Sequence, residues 1–431
     1  MSVPEPLFVG IDIGTSGVRA VAITADGRQQ GLGAAALPLP APQADAAARR
    51  QSPSAWWHGV QQALAALFIH VPPDQVQAIA VDGTSGTVLV TDGAGHPLSE
   101  GWMYDDASCA HEAARVAHHA PPESAAHGAT SPLARMLRLQ REMPDAVHLL
   151  HQADWIAGTL CGQFGFSDSN NALKLGYDAL AERWPVWFDA LGVRHDWLPQ
   201  VQRPGTPVGV VTAFWATRFG LQDDTRIVAG TTDGVASFLA TGASQDGDAV
   251  TSLGSTLVLK VLSQQPVFAP AYGIYSHRLG ELWLAGGASN SGGAALLAHF
   301  SAERMTQLTP ALRPHQPTGL DYYPLPAIGE RFPVNDPALA PRDTPRPTDD
   351  AVFFQGLLEG IASVERLAFQ RIAALGAPYP HRVYSVGGGA RNAAWRQMRQ
   401  QRLGVPVLTP LHEDAGYGTA LLARQGAGVT P

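Results

Sequence analysis

A chain of 431 residues is too long for one compact hydrophobic core, and two domains of roughly 200 residues each are expected. Hydrophobic residues at 45% and charged residues at 15% describe a globular polypeptide, and a formal charge of -8 without any basic run argues against a nucleic-acid partner. Only two lysines occur, Lys174 and Lys260, and neither follows a glycine; this removes the Walker-type phosphate loop, so any nucleotide must be held by backbone donors, hydroxyls and a metal.

The first predicted element is the apolar run Phe8-Val9-Gly10-Ile11, which ends in Asp12 and the turn Gly14-Thr15-Ser16-Gly17 before a second strand, Val18 to Ile23. Glycines at both ends of such a turn let backbone N–H groups approach an anion, and Thr15 and Ser16 add hydroxyl donors. Asp12 stands where a hydrated metal or a substrate hydroxyl could sit; taken alone, the stretch fits an ordinary Gly-rich hairpin equally well. Ala25-Asp26-Gly27-Arg28 signals a tight turn into a third antiparallel strand, followed by a Pro/Ala-rich connection over 37–48. A helix is expected from Ser54 to about Phe68, capped by Ser52 or Ser54, with Trp56, Val60, Ala63, Leu64 and Leu67 on one face. Val76 to Val81 reads as a strand. It ends in Asp82-Gly83-Thr84-Ser85-Gly86-Thr87, a second acid–glycine–hydroxyl hairpin leading into the strand Val88-Leu89-Val90, or a plain turn. Asp105 and Asp106 are either polyol or metal ligands or solvated loop acids. Helical periodicity covers Pro132 to Met143 and Asp145 to Leu160, the segment Ser167 to Asp178 reads as a polar loop, and Trp184, Trp187 and Trp197 read as packing residues.

Proline and glycine are dense from Pro199 to Val211, so a domain boundary is expected near residue 225, dividing the chain into 1–225 and 226–431. The strand Ile227-Val228-Ala229 turns through Gly230-Thr231-Thr232-Asp233-Gly234 into a helix, which exposes Asp233 at the helix start as a site acid or merely a capping one. Gly254-Ser255-Thr256, between Thr251 and the strand from Leu257, forms a third glycine–hydroxyl hairpin, like that at Asp12 but without the acid, and implies an internal duplication. Gly286 to Gly293 opens another helix. Residues 321–350 are proline-rich and irregular, as a functional or surface insertion would be, and a long helix spans Ala351 to Leu375. The strand Val383 to Val386 then turns through Gly387-Gly388-Gly389-Ala390-Arg391-Asn392 into a helix around Trp395. Cys109 and Cys161 have no metal-ligand spacing and are expected to be reduced, and without a leader pattern or an 18-residue apolar run the cytoplasm is the default, with no membrane partner.

Two glycine–hydroxyl hairpins, an acid at a strand-to-helix turn and a late triple glycine are the parts of the actin-like ATPase fold, and within it the chain resembles the FGGY family of carbohydrate kinases. The residues carrying the resemblance span nearly the whole length: Asp12 to Ser16, Trp56-Trp57, Asp82 to Ser85, Ser167 to Tyr177 with Lys174, Gly230 to Asp233, Gly329 to Pro333 with Asp336-Pro337, Gln355 to Ala362, and Val386 to Asn392. The resemblance implies an α/β chain of two ribonuclease-H-like domains with a catalytic cleft between them, transferring the ATP γ-phosphate to a sugar hydroxyl. It implies Asp233 as general base, with Asp12 holding hydrated Mg²⁺ and the acceptor. Asp233 would share the metal and the substrate. Thr15 and Ser16 would lie near the transferred phosphate, Thr84 and Ser85 near the sugar, and Gly254, Ser255 and Thr256 near the β/γ-phosphates. Gly292-Gly293, Gly388 and Gly389 would line the adenosine, with Asn392 and Trp395 near base and ribose. On this reading Asp12 and Asp233 come from different domains and meet on closure.

Two departures bear on the sugar. The xylulose kinases that the chain otherwise resembles carry Met-His where Ser85-Gly86 stands, and a Trp-Asn-Asp-x-Arg pattern where this chain has Tyr104 to Ser108 without arginine. A small Ser-Gly turn leaves room and offers a hydroxyl in place of an imidazole, so the hydroxyl pattern it reads should differ. The shorter, xylulokinase-like members with a Gly-Thr-Ser hairpin resemble the D-ribulose kinases of cyanobacteria and plants. D-ribulose, phosphorylated at O5, is the expected acceptor, with D-xylulose the alternative. A non-catalytic actin-like ATP switch is the reading from another class. A sugar-sensing repressor would need a helix-turn-helix domain, and a chaperone or filament a peptide-binding domain or polymer contacts, and neither stands out. A monomer or homodimer is expected.

Overall fold

A computed structural model of the chain describes residues 5–40 and 43–429. Positions 41 and 42 of the expected Pro/Ala-rich connection lie outside the described residues. The fold divides into two units: 1–240 together with 414–431, and 241–413.

In the first unit, among the described residues, the main sheet has six strands in the order Pro207–Val210, Arg226–Thr232, Val76–Gly83, Leu7–Ile13, Gly17–Thr24, Gln29–Ala36. Leu7–Ile13, Gly17–Thr24 and Gln29–Ala36 form an antiparallel meander, as the two turn signals require. Val76–Gly83 and Arg226–Thr232 then add in parallel to the first strand. The central strand Leu7–Ile13 is buried along its whole length, which is why it reads as a continuous apolar run rather than an alternating one. One face is covered by the helix Pro53–Leu67, with Ser52 at its N-cap position, which buries Trp56, Val60, Ala63, Leu64 and Leu67 as the periodicity predicts. The helices Asp233–Ala240 and Ala415–Gly426 lie together in this unit, and a separate core joins the second of them to Phe8, Val21, Ala80 and Val228.

The second unit repeats the plan. Its sheet runs His277–Leu279, Leu282–Ser289, Leu257–Ser263, Asp248–Leu253, Arg382–Val386, Val407–Leu408. Asp248–Leu253 and Leu257–Ser263 form an antiparallel hairpin, Leu282–Ser289 pairs antiparallel with the second of these, and Arg382–Val386 and Val407–Leu408 are parallel additions. Three antiparallel strands followed by two parallel ones in each unit bear out the expected duplication and the α/β class. The long helix Asp350–Ala374 covers this sheet with Phe353, Leu357, Ile361, Val364 and Phe369 buried. No helix among the described residues is long and apolar enough to cross a membrane.

Several expectations are corrected. The boundary falls after Ala240 rather than at 225, because Arg226–Thr232 is a ladder strand of the first sheet and the helix it feeds packs on that sheet. The stretch Asp82 to Thr87 is not a hairpin: the strand before it belongs to the main sheet, whereas Val88–Thr91 pairs with His148–His151 in a second, four-stranded sheet. That pairing also converts the first half of the expected helix 145–160 into a strand, and the helix starts at Gln152. The expected loop 167–178 contains the strand Phe166–Asp168 and the helix Ser169–Leu175, whose cap is Asp168, with its side chain accepting from the Asn170 and Asn171 N–H groups. Residues 321–349 carry no regular element but are not merely superficial. Phe332 is fully buried against Gly287, and the Glu330 carboxylate accepts from Ser289 Oγ at 2.6 Å and the Asn290 N–H at 2.8 Å.

Two helices cross closely at Gly418, where a Cβ would stand 1.9 Å from the Ala236 carbonyl oxygen of the helix that Asp233 opens. Backbone cannot yield as a flexible side chain does, so Gly418→Ala should destabilise the first unit by about 1–3 kcal/mol. Urea unfolding of the first unit, followed through its buried tryptophans, should show the lower midpoint.

Candidate functional site

Three strands of the first sheet end side by side, and their ends carry acids. The ladder places Asp12 opposite Asp82 and Asp82 opposite Thr231, two residues before Asp233. Asp233 is the first residue of its helix, and its Oδ1 accepts from the Gly234 N–H at 2.6 Å. Asp12 and Asp233 therefore belong to one unit, correcting the expectation that they come from different domains. The reason is topological: the strand leading into Asp233 is a parallel neighbour of the strand carrying Asp82.

The electrostatics of these acids are unusual. Burial pushes the Asp12 carboxyl from its ordinary 3.8 up to about 6; the adjacent Asp82 side chain opposes the rise by hydrogen bonding, while the charges of Asp414 and Asp233 add to it. Asp82, wholly buried, is pushed well above the carboxylate range by desolvation and then by the charge of Asp12. Asp82 Oδ2 accepts from Thr419 Oγ1, but its buried Oδ1 has no partner. Arg19 supplies the local positive charge, with Nη1 at 3.5 Å from Asp12 Oδ2 and Nε at 3.6 Å from Asp414 Oδ2.

An unpartnered carboxylate oxygen amid this excess of negative charge fits a divalent cation. No group of three or more His, Cys, Asp or Glu that could hold an ion occurs among the described residues, so an ion here would keep water in most of its positions. Asp233 lies within electrostatic reach of Asp12.

The turn after Asp12 is closed by Gly14 N–H donating to Gly17 O at 2.9 Å. It is held from behind by Gln51, whose Nε2 donates to the Thr15 carbonyl at 3.0 Å and whose Oε1 accepts from Trp56 Nε1 at 2.6 Å. Thr15 is half-buried and Ser16 exposed, beside a depression lined by Gly14, Ser16, Gly17 and Arg19. On the other side of Asp12, Thr84 is buried, while Ser85 is half-buried with its Oγ unpartnered. Asp106 is not available to a ligand: it pairs with Arg50 and accepts from the Arg49 N–H and from Ser108, whereas Asp105 is exposed.

The second unit contains a cavity of about 690 Å³ whose lining includes Gly254, Ser255, Gly293, Gly388, Gly389, Asn392 and Trp395. Leu296, Met305, Phe354 and Leu358 line it as well. Glycine-rich turns together with an apolar wall suit a phosphorylated ligand with a flat hydrophobic end. Thr256 is not in the lining; its carbonyl closes the turn by accepting from the Gly254 N–H at 3.2 Å. The Gly293 and Ala294 N–H groups donate to the carbonyls of Gly254 and Ser255, so the start of that short helix braces the turn. Asn392 caps its helix through the Trp395 N–H at 3.0 Å, and Trp395 Nε1 donates to the Leu358 carbonyl at 3.0 Å. A Cβ on Gly389 would overlap the Trp395 ring at 2.5 Å, which accounts for the glycine there.

Sequence reasoning did not select Asp82, Asp414, Thr419, Arg19 or Gln51 as site residues. For Asp82 the signal was present in the repeated acid–glycine–hydroxyl motif; for Thr419 and Asp414, some 400 residues from Asp12, only the fold supplies it.

The profile of the FGGY family of carbohydrate kinases, N-terminal domain, matches residues 7–240, and that of the C-terminal domain matches 249–426. The chain is 24% identical over 449 residues to the xylulose kinase of Escherichia coli (strain K12), covering 98% of this chain and 90% of that one. It is 26% identical over 470 residues to the autoinducer-2 kinase of Yersinia pestis (strain Pestoides F), covering 98% and 86%. Its fold superposes on a "xyloylose kinase" from Brucella ovis with a TM-score of 0.87 at 22% identity, over 99% of this chain and 91% of that one. The two-domain, ribonuclease-H-like architecture is thus that of known sugar kinases.

The raised Asp12 carboxyl has a consequence for stability. Its folded-state value lies above the unfolded one, so the folded chain holds that proton more tightly; the penalty is absent below about pH 4 and complete above about pH 6. Asp12→Asn should therefore stabilise the ligand-free protein at pH 7.5 by on the order of 2 kcal/mol. Urea titrations at the two pH values should show the gain at pH 7.5 and none at pH 4.

Proposed function

Because the chain belongs to the FGGY family of carbohydrate kinases, we propose that it transfers the γ-phosphate of ATP to O5 of a ketopentose, D-ribulose, giving D-ribulose 5-phosphate. The observation that carries the choice of sugar is the turn Thr84-Ser85-Gly86. Its Ser85 Oγ is buried without a protein partner, next along the chain from Asp82 and Thr84, and a hydroxyl there reads a different hydroxyl pattern from an imidazole. D-xylulose is the second reading, favoured by the match to xylulose kinases over nearly the full chain.

In this reading Asp233 is the general base. At the head of its helix it orients the acceptor hydroxyl and takes its proton as the bond to phosphorus forms. A carboxylate suffices, because a loose phosphoryl-transfer transition state needs the alcohol aligned more than strongly deprotonated. Asp12 holds the acceptor and, through water, the metal site, with Arg19 keeping its carboxylate oriented. Mg²⁺, when bound, supplies neutralisation of charge on the phosphates. The Thr15 and Ser16 groups donate to the transferred phosphate from a turn stiffened by Gln51. In the second unit, Gly254 and Ser255 face the polyphosphate and the apolar wall takes the base.

Asp233→Ala should lower kcat by about 10²–10⁴-fold while nucleotide binding, measured by calorimetry, stays within about threefold of wild type. Turnover near the wild-type rate would remove Asp233 from the base role. Separately, a panel of ketoses and polyols in a coupled ADP assay should give the highest kcat/KM with D-ribulose; a preference for D-xylulose would establish the second reading.

A further inference from the structure

Gln152, at the start of the helix Gln152–Cys161, is 1% exposed and carries no role in the reading above. Its Oε1 accepts from both the Thr84 N–H at 3.0 Å and Thr84 Oγ1 at 2.9 Å, and its own N–H donates to the Thr87 carbonyl at 3.0 Å. Thr84 Oγ1 lies 2.6 Å from Thr87 Oγ1, which in turn accepts from the Tyr104 N–H at 3.0 Å. Each hydroxyl has one proton, so these contacts form a chain with a single direction: Tyr104 N–H to Thr87, Thr87 to Thr84, Thr84 to Gln152 Oε1. The chain must end on an acceptor. The opposite amide orientation would set an NH₂ group against the Thr84 N–H, donor against donor, so the orientation of the glutamine is dictated by its partners.

The same side chain explains its neighbour: a Cβ on Gly83 would stand 2.9 Å from Gln152 Oε1. The consequence of the orientation is that Gln152 Nε2 is a buried donor without a partner, on an element packed behind the turn whose Ser85 Oγ and Asp82 Oδ1 are likewise unpartnered. At the far end of the chain, Arg135 donates to the carbonyls of Trp102, Met103 and Tyr104 and fixes the loop that carries Asp105.

We propose that Gln152 is a positioning residue of the acceptor site: by terminating this buried chain it fixes the turn Thr84–Thr87 relative to the Tyr104–Asp105 loop, and so sets which arrangement of acceptor hydroxyls fits. The inference rests on the reading of that turn as the acceptor-binding element. Gln152 reaches the sugar through Thr84 and Thr87 rather than by contact, so its loss alters acceptor recognition and leaves nucleotide recognition alone.

The test is steady-state kinetics on Gln152→Met, which keeps the volume and removes the terminal acceptor, and on Thr87→Val, which cuts the chain at a fully buried residue that no sugar can touch. Each should raise the acceptor KM by about tenfold or more with the ATP KM within about twofold, as expected when positioning rather than chemistry is lost. Gln152→Glu, which retains an accepting oxygen, should stay within about threefold of wild type. The double variant should be little worse than the worse single one, because both break one chain. An unchanged acceptor KM, or parallel losses in both KM values and in thermal stability, would overturn the proposal; if Gln152→Met does not fold, Thr87→Val decides by the same criteria. A wild-type protein inactive with every ketose would overturn the acceptor reading and this inference together, whereas an active wild type with unmoved variants overturns this inference alone.

Discussion

Asp12 and Asp82 face each other on neighbouring parallel strands, and the main-chain ladder between Leu7–Ile13 and Val76–Gly83 holds them there against their own electrostatics. Two carboxylates removed from water repel and are each poorly solvated, so burial raises both and the ligand-free site favours a shared proton. A surface loop would let them part; a strand ladder does not. What supports the ladder from behind is the helix Ala415–Gly426, which comes so close at Gly10 that a Cβ there would stand 2.1 Å from the Gly416 carbonyl oxygen, and which sends Thr419 to Asp82. The cost is stability given up at the strand ends, the usual sign of a site kept for function.

The second unit builds a site of another kind on the same strand plan. It replaces the acid at the first turn by Leu253-Gly254-Ser255, and it opens a cavity whose glycine turns admit backbone close to a ligand while Leu296, Phe354 and Leu358 exclude water from the other end. The two sheets share the order of five strands, three antiparallel and two parallel, and differ in chemistry at the strand ends. The acids gather in the first unit, including Asp233, because the boundary falls one helix later than chain composition indicates.

Between the six-stranded and four-stranded sheets of the first unit, the stretch Thr84 to Thr87 is held by side chains rather than by a strand partner. Gln152, Thr84, Thr87 and Arg135 together satisfy the groups that a hairpin ladder would have satisfied. A turn fixed in this way can be retuned by single substitutions without disturbing the main sheet.

Local chemistry was enough to read much of this from the residues alone. Continuous apolar runs marked the central strands, the 3.6-residue spacing of Trp56, Val60, Ala63 and Leu67 marked the first helix, and acid–glycine–hydroxyl turns marked the strand ends that carry the acids. These signals work because strand burial, helix amphipathicity and glycine's access to tight turns act over a few residues. Pairing does not act over a few residues. That Val88–Thr91 leaves the main sheet to join His148–His151, that Arg226–Thr232 belongs to the first unit, and that Thr419 reaches Asp82 across 337 positions were decided only when distant segments packed. The sequence alone determined which residues could do chemistry and where turns would present them; tertiary structure decided which of them meet, because hydrogen-bond ladders and buried charge are settled between elements and not within them.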